Sequence, residues 1–140
     1  MSDDRMRMVE LSLQGFGCAQ VLALLALEAM GKENPELVRA VSGLHGGAFS
    51  GKLCGALTGG CCVLALHAGR GTLEESQGDR LVPMIQELVE WFEEEYAPRF
   101  GGIDCASIVG NDPRNRVARC PELVAAVHEK VQELLKSERP

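Results

Sequence analysis

Glycine recurs at every fourth position, Gly51, Gly55 and Gly59, at the head of the sparsely charged stretch 52–68. A four-residue spacing puts all three on one face of a helix, and a face without side chains lets another backbone approach closely. The pattern predicts a central helix over 52–68. Its smooth groove would be filled by another helix of the same chain or by a second copy in a homodimer.

Period and punctuation give four more helices. In 18–30, Val21, Leu22, Leu25 and Ala29 form one stripe and Leu24 and Leu27 widen it, as in a helix buried on most sides. Gly31 ends this helix, which starts at Cys18 or, if it runs through Gly15 and Gly17, as far back as Val9. Asn34 and Pro35 stand as N-cap and first helical residue of a short helix that stops at Gly43. Residues 79–96, with Pro83 near the first turn, are amphipathic through Met84, Ile85, Leu88, Val89 and Phe92, and Pro98 and Gly101 are read as terminators. Residues 121–136 set Leu123, Val124, Val127, Val131, Leu134 and Leu135 against Glu122, Glu129, Lys130 and Glu133. The polar stretch 111–119 reads as an exposed loop. No alternating strand pattern of useful length intervenes. The expectation is an all-α chain, one domain over 1–140, of about five helices with a glycine-rich central loop at 43–51.

A net charge of −6, the run Glu93, Glu94 and Glu95, scattered basic residues and a single Trp and Tyr argue against a nucleic-acid surface. The longest aliphatic run, 21–27, falls short of the roughly 20 apolar residues a membrane span needs. The first residues lack the basic and apolar regions of a secretory leader, so a cytoplasmic location is expected. Thiols stay reduced there, and the six cysteines then read as metal-binding or catalytic rather than as structural staples.

Four of the six stand at expected helix starts. Gly15 and Gly17 precede Cys18, Gly51 and Lys52 precede Cys54, Gly101 and Gly102 precede Cys105, and Pro121 follows Cys120, read as an N-cap. Backbone N–H groups and the dipole at a helix N-terminus favour thiolate over thiol, the form that attacks disulfides and binds metals. The spacings of 36, 51 and 15 residues fit no zinc finger or ribbon, and neither a CxxC nor a CxxCH motif occurs, so haem is not expected.

Cys54-Gly55-Ala56-Leu57-Thr58-Gly59, with Cys18-Ala19-Gln20 before it and Cys105 and Cys120 after it, resembles the C_GCAxxG_C_C family of redox-active proteins over nearly the whole chain. A similar helical domain in split-Soret cytochromes is associated with an iron–sulfur cluster. The resemblance implies that Cys18, Cys54, Cys105 and Cys120 hold such a cluster, of the [2Fe–2S] type, for electron transfer or redox sensing with an unidentified redox partner. Cys61 and Cys62 fall outside the four-cysteine pattern. They are read as small buried residues, although Cys61 shares a helical face with Cys54 and Thr58.

Two other functions compete. A metal-free thiol/disulfide protein would use Cys54, activated by Lys52, as the attacking thiolate and Cys18, Cys105 or Cys120 as its resolving partner. An accessory module would hold a soft metal such as Cu(I) or Zn(II) on the same thiolates. His45 in the glycine-rich loop is a candidate ligand or proton carrier. Thr58 either donates to a sulfur or bonds back to its own helix, and His67 and His128 read as ordinary helix residues.

Overall fold

The computed structural model describes residues 3–137, and among these seven α-helices are present. They are α1 (Asp3–Leu13), α2 (Cys18–Ala29), α3 (Pro35–Val41), α4 (Gly55–Ala68), α5 (Leu81–Phe100), α6 (Cys105–Val109) and α7 (Arg114–Ser137). The all-α expectation holds, with more helices than the five expected. No helix among the described residues is long and apolar enough to cross a membrane.

α4 is the central helix. It packs on α2, α5 and α7, and its Leu57 and Leu64 are fully buried beside Leu88 and Phe92 of α5 and Val127 of α7. Burying each such side chain stabilises the fold by about 1.5–3 kcal/mol. The glycine groove is filled from within the chain, by α2. A Cβ on Gly59 would lie 2.8 Å from the Ala19 Cα, and one on Gly55 would lie 2.6 Å from the Cys18 Sγ. Gly51 does not share this face. It precedes the helix in a left-handed conformation (φ 70°), because 52–54 run extended before α4 begins. Gly60 opens a second face, where a Cβ would meet Val127 Cγ1 at 2.6 Å.

Several boundaries differ from expectation for identifiable reasons. α1 and α2 are separate, since Gly15 turns left-handed (φ 100°) and the Gly17 N–H bonds to Gln20 Oε1 at 3.2 Å, closing the start of α2. α3 starts as predicted, with Asn34 Oδ1 accepting from the Leu37 N–H at 3.1 Å. α5 begins at Leu81 and runs through Pro98 to Phe100, where left-handed Gly101 (φ 82°) ends it. Tyr96 and Phe100 stack across that last turn, with centroids 6.1 Å apart. α7 starts well before Pro121. Asp112 and Pro113 offer the same cap-then-proline signal earlier, and Asp112 Oδ1 accepts from the Arg114 N–H at 3.0 Å. Aspartate is the stronger cap. Cys120 is therefore inside a helix, not at its N-cap, and most of the expected 111–119 loop is helical.

Candidate functional site

A short backbone pairing turns two cysteines to one face, one at each end of the pairing. Leu53 and Asp104 form an antiparallel bridge, the Cys54 N–H bonds to Ile103 O at 3.2 Å, and the Cys105 N–H bonds to Lys52 O at 2.6 Å. Side chains alternate across such a pair, so Cys54 and Cys105, each one residue beyond the bridge, project to the same side. Each then meets a helix start. Cys54 caps α4, while Cys105 is the first residue of α6, whose cap Asp104 accepts from the Ser107 N–H at 3.0 Å and the Ser107 hydroxyl at 2.8 Å.

Cys18 and Cys120 come from the other two walls. Cys18 opens α2, and its Sγ rests where a side chain on Gly55 would be. Cys120 is brought in by the docking of α6 on α7, in which Arg119 Nη1 donates to Ile108 O at 2.7 Å and Asn115 Nδ2 to Val109 O at 2.8 Å. All four cysteines line one cavity of about 30 Å³, together with Gly46, Ile108, Leu123 and Arg116. That is room for about one water molecule. All six cysteines are free thiols.

The CGAxxG motif thus has a physical reading. Its cysteine caps the central helix and faces the cavity. Its first glycine leaves room for the sulfur of Cys18, Ala56 lines the cavity, and its last glycine admits the backbone of α2.

The expected thiolate character is not what the environment favours. Burial is the largest influence on Cys18, Cys54 and Cys120 and pushes all three thiols up, Cys18 to about 11. Negative charge on neighbouring cysteines pushes Cys18 and Cys120 the same way. The N-terminal effect is present with the predicted sign, through the Ala19 N–H at Cys18 and the Ala56 and Leu57 N–H groups at Cys54, but desolvation outweighs it. The guanidinium of Arg116 favours the thiolate of Cys120.

The remaining candidates separate clearly. His45 does not line the four-cysteine cavity. Its ring lies against Gly17, the residue before Cys18, where a Cβ would overlap it, and its buried Nε2 has no hydrogen-bond partner. Burial lowers its pKa. It lines an adjoining cleft of about 480 Å³ with Phe49, Cys105 and Arg116. The Thr58 hydroxyl bonds back to Cys54 O at 3.3 Å. Cys61 packs on the main core and Cys62 on a smaller cluster with Ala19, Ala23 and Val41, as small hydrophobes do, but both are half-buried where full burial was expected. His67 Nδ1 is 3.0 Å from Val63 O, and His128 Nε2 is 2.9 Å from Asp4 Oδ2.

Two features of the site were missed in the sequence. Arg116 is one helical turn before Cys120, a spacing that carries information only once α7 is known to begin at Arg114. The glycine-rich loop forms a left-handed turn in which Gly46, Gly47, Ala48 and Phe49 all have φ between 54° and 61°. Gly46 forms part of the cavity wall.

As a donor set, four cysteines on one cavity suit an iron–sulfur cluster. As the side chains are turned here, no three of the described Cys, His, Asp or Glu residues surround a point closely enough to hold a metal ion. The donor chemistry fits, but with room for about one water the cavity would have to widen, and the sulfurs turn, around a bound group.

Fold and site together define a small all-helical protein with a shared four-cysteine centre. The chain belongs to the C_GCAxxG_C_C family, described as "Putative redox-active protein", whose sequence model matches residues 16–134. No curated protein and no solved structure matches the chain.

Proposed function

We propose that Cys18, Cys54, Cys105 and Cys120 act as one redox centre and hold an iron–sulfur cluster of the [2Fe–2S] type, serving electron transfer or redox sensing. The observation that carries this reading is the convergence of cysteines from α2, α4, α6 and α7 on a single small cavity. Thiol exchange needs one accessible thiolate and one partner, whereas desolvation holds Cys18, Cys54 and Cys120 toward the protonated form. When bound, the cluster supplies a one-electron couple. The chain's part is to give up four thiol protons and then to offset the resulting charge. The Ala19, Ala56 and Leu57 N–H groups already point at sulfur, and Arg116 adds a positive charge beside Cys120.

A second reading is a metal-free dithiol. Cys54 and Cys105, on one face of the bridge and on one cavity, favour it, since their oxidation, once the two sulfurs are drawn together, would pass two electrons and two protons to a disulfide acceptor. Purification without oxygen, followed by a visible spectrum and iron, sulfide, zinc and copper analysis, separates the readings. About two irons and two sulfides per chain, lost in each of the four Cys→Ser variants, is the expected result. A colourless, metal-free protein that takes up no iron and sulfide on anaerobic reconstitution would refute the cluster. A colourless protein carrying stoichiometric zinc or copper would assign the thiols to a soft-metal module.

A further inference from the structure

α1 leaves half of its apolar stripe uncovered. Arg5, Met8, Val9, Ser12 and Leu13 follow the i, i+3, i+4, i+7, i+8 pattern of one helical face. Met8 is buried in the core, yet Val9 is 51 % exposed and Leu13 83 %. Opposite them, on α7, Val117 is 80 % exposed. These side chains line a cleft of about 660 Å³ between the two helices, and Cys18 and Cys120 also form part of its wall. Cys54 does not reach it, and Cys105 faces the separate His45 cleft instead.

Among the described residues, one charge in the cleft has no partner. At its rim Arg5 pairs with Glu122 at 3.2 Å, and on α1 Arg7 pairs with Glu28 at 2.7 Å. The guanidinium of Arg116, also lining the cleft, has no hydrogen bond or ion pair among the described residues. An inorganic anion would leave the apolar walls unused. A hydrocarbon would leave the arginine unused. The volume lies within the roughly 300–1,000 Å³ of small-molecule sites, which combine apolar walls with a few placed polar groups.

We propose that the α1/α7 cleft binds a small apolar molecule bearing one anionic group, its body on Val9, Leu13 and Val117 and its anion on Arg116, against Cys18 and Cys120. The bound molecule covers one side of the redox centre and leaves the Cys105 side open. This assignment does not depend on whether the four thiols hold a cluster.

The test uses 8-anilinonaphthalene-1-sulfonate and dodecanoate, with uncharged dodecanol as control, on protein with and without bound iron. Both anions are expected to bind the wild type saturably at one site. Arg116→Gln should weaken both by roughly tenfold, as expected for loss of one charge-assisted contact, and leave dodecanol unchanged. Leu13→Ser should weaken all three. In metal-free protein, dodecanoate should slow iodoacetamide alkylation of Cys18 and Cys120 but not of Cys105. The Arg116 side chain is exposed and makes no hydrogen bond or ion pair among the described residues, so an unchanged urea midpoint in Arg116→Gln establishes that the variant is folded. Absence of saturable binding, equal affinity for the anions in Arg116→Gln, or protection of Cys105 instead would overturn the assignment. So would self-association of the wild type that Leu13→Ser abolishes, which would give the cleft to a second copy of the chain. Iron content is read separately, so loss of the cluster and loss of the ligand site are distinguishable.

Discussion

Gly59→Ala tests the closest approach in the fold's centre. The added Cβ would stand 2.8 Å from the Ala19 Cα and 3.1 Å from its Cβ, and ordinary contact begins near 3.4 Å. The obstacle is backbone, so no side-chain rotation relieves it, and α2 must move off α4. Overpacking of this kind costs about 1–3 kcal/mol. The better helix propensity of alanine returns up to about 1 kcal/mol. A net loss of about 1–2 kcal/mol is expected, which for a chain of this size lowers the Tm by roughly 3–10 °C. Urea unfolding followed by circular dichroism measures it, with Gly43→Ala as control because a Cβ there meets nothing within 4 Å. The control should stay within about 0.5 kcal/mol of wild type. Gly59→Ala as stable as the control would refute the close helix crossing. Gly55→Ala should behave differently, since its Cβ would meet the Cys18 sulfur at 2.6 Å as well as Leu44 O at 2.9 Å. It should displace that thiol and lower iron content more than Gly59→Ala does, and equal iron content in the two variants would contradict the assigned role of Gly55.

Two more expectations concern pH and backbone strain. In metal-free protein, burial raises Cys18 and Cys61 from an ordinary 9.0 to about 11, so the stability tied to their protonated forms is full below pH 9 and is lost as pH rises toward 11. The urea midpoint should fall across that window and fall less in Cys61→Ala; a midpoint level up to pH 11 would count against buried thiols. Ala48 is held left-handed at φ 60° and ψ 37°. That conformation costs a non-glycine residue about 1–2 kcal/mol, while glycine's greater freedom when unfolded costs about 0.5–1 kcal/mol. Ala48→Gly should therefore raise stability by roughly 0.5–1 kcal/mol in urea titration, and a lowered midpoint would contradict it.

The helices were legible where a local signal stands alone. Asn34 and Pro35 mark the start of α3, and Gly31 and Gly101 follow the ends of α2 and α5, because capping and left-handed turns depend on a few adjacent residues. Reading failed where two equivalent signals compete. Asp112-Pro113 and Cys120-Pro121 both resemble helix starts, and the chain uses the first, so a loop was expected where α7 begins. The packing of α6 on α7, through Arg119 and Asn115, consolidates that choice from a distance in sequence.

The cysteines divide in the same way. Their order and the glycines of the CGAxxG stretch are properties of the chain itself, and they sufficed to single out Cys18, Cys54, Cys105 and Cys120 and to predict a closely packed central helix. Their common cavity and their protonation are properties of the packed molecule. A helix N-terminus acts over one turn and can be read from neighbouring residues, but desolvation is set by every element packed around a sulfur. At Cys18, Cys54 and Cys120 that second effect is the larger, so residue order determined which cysteines meet, and tertiary burial decided that these three meet as thiols.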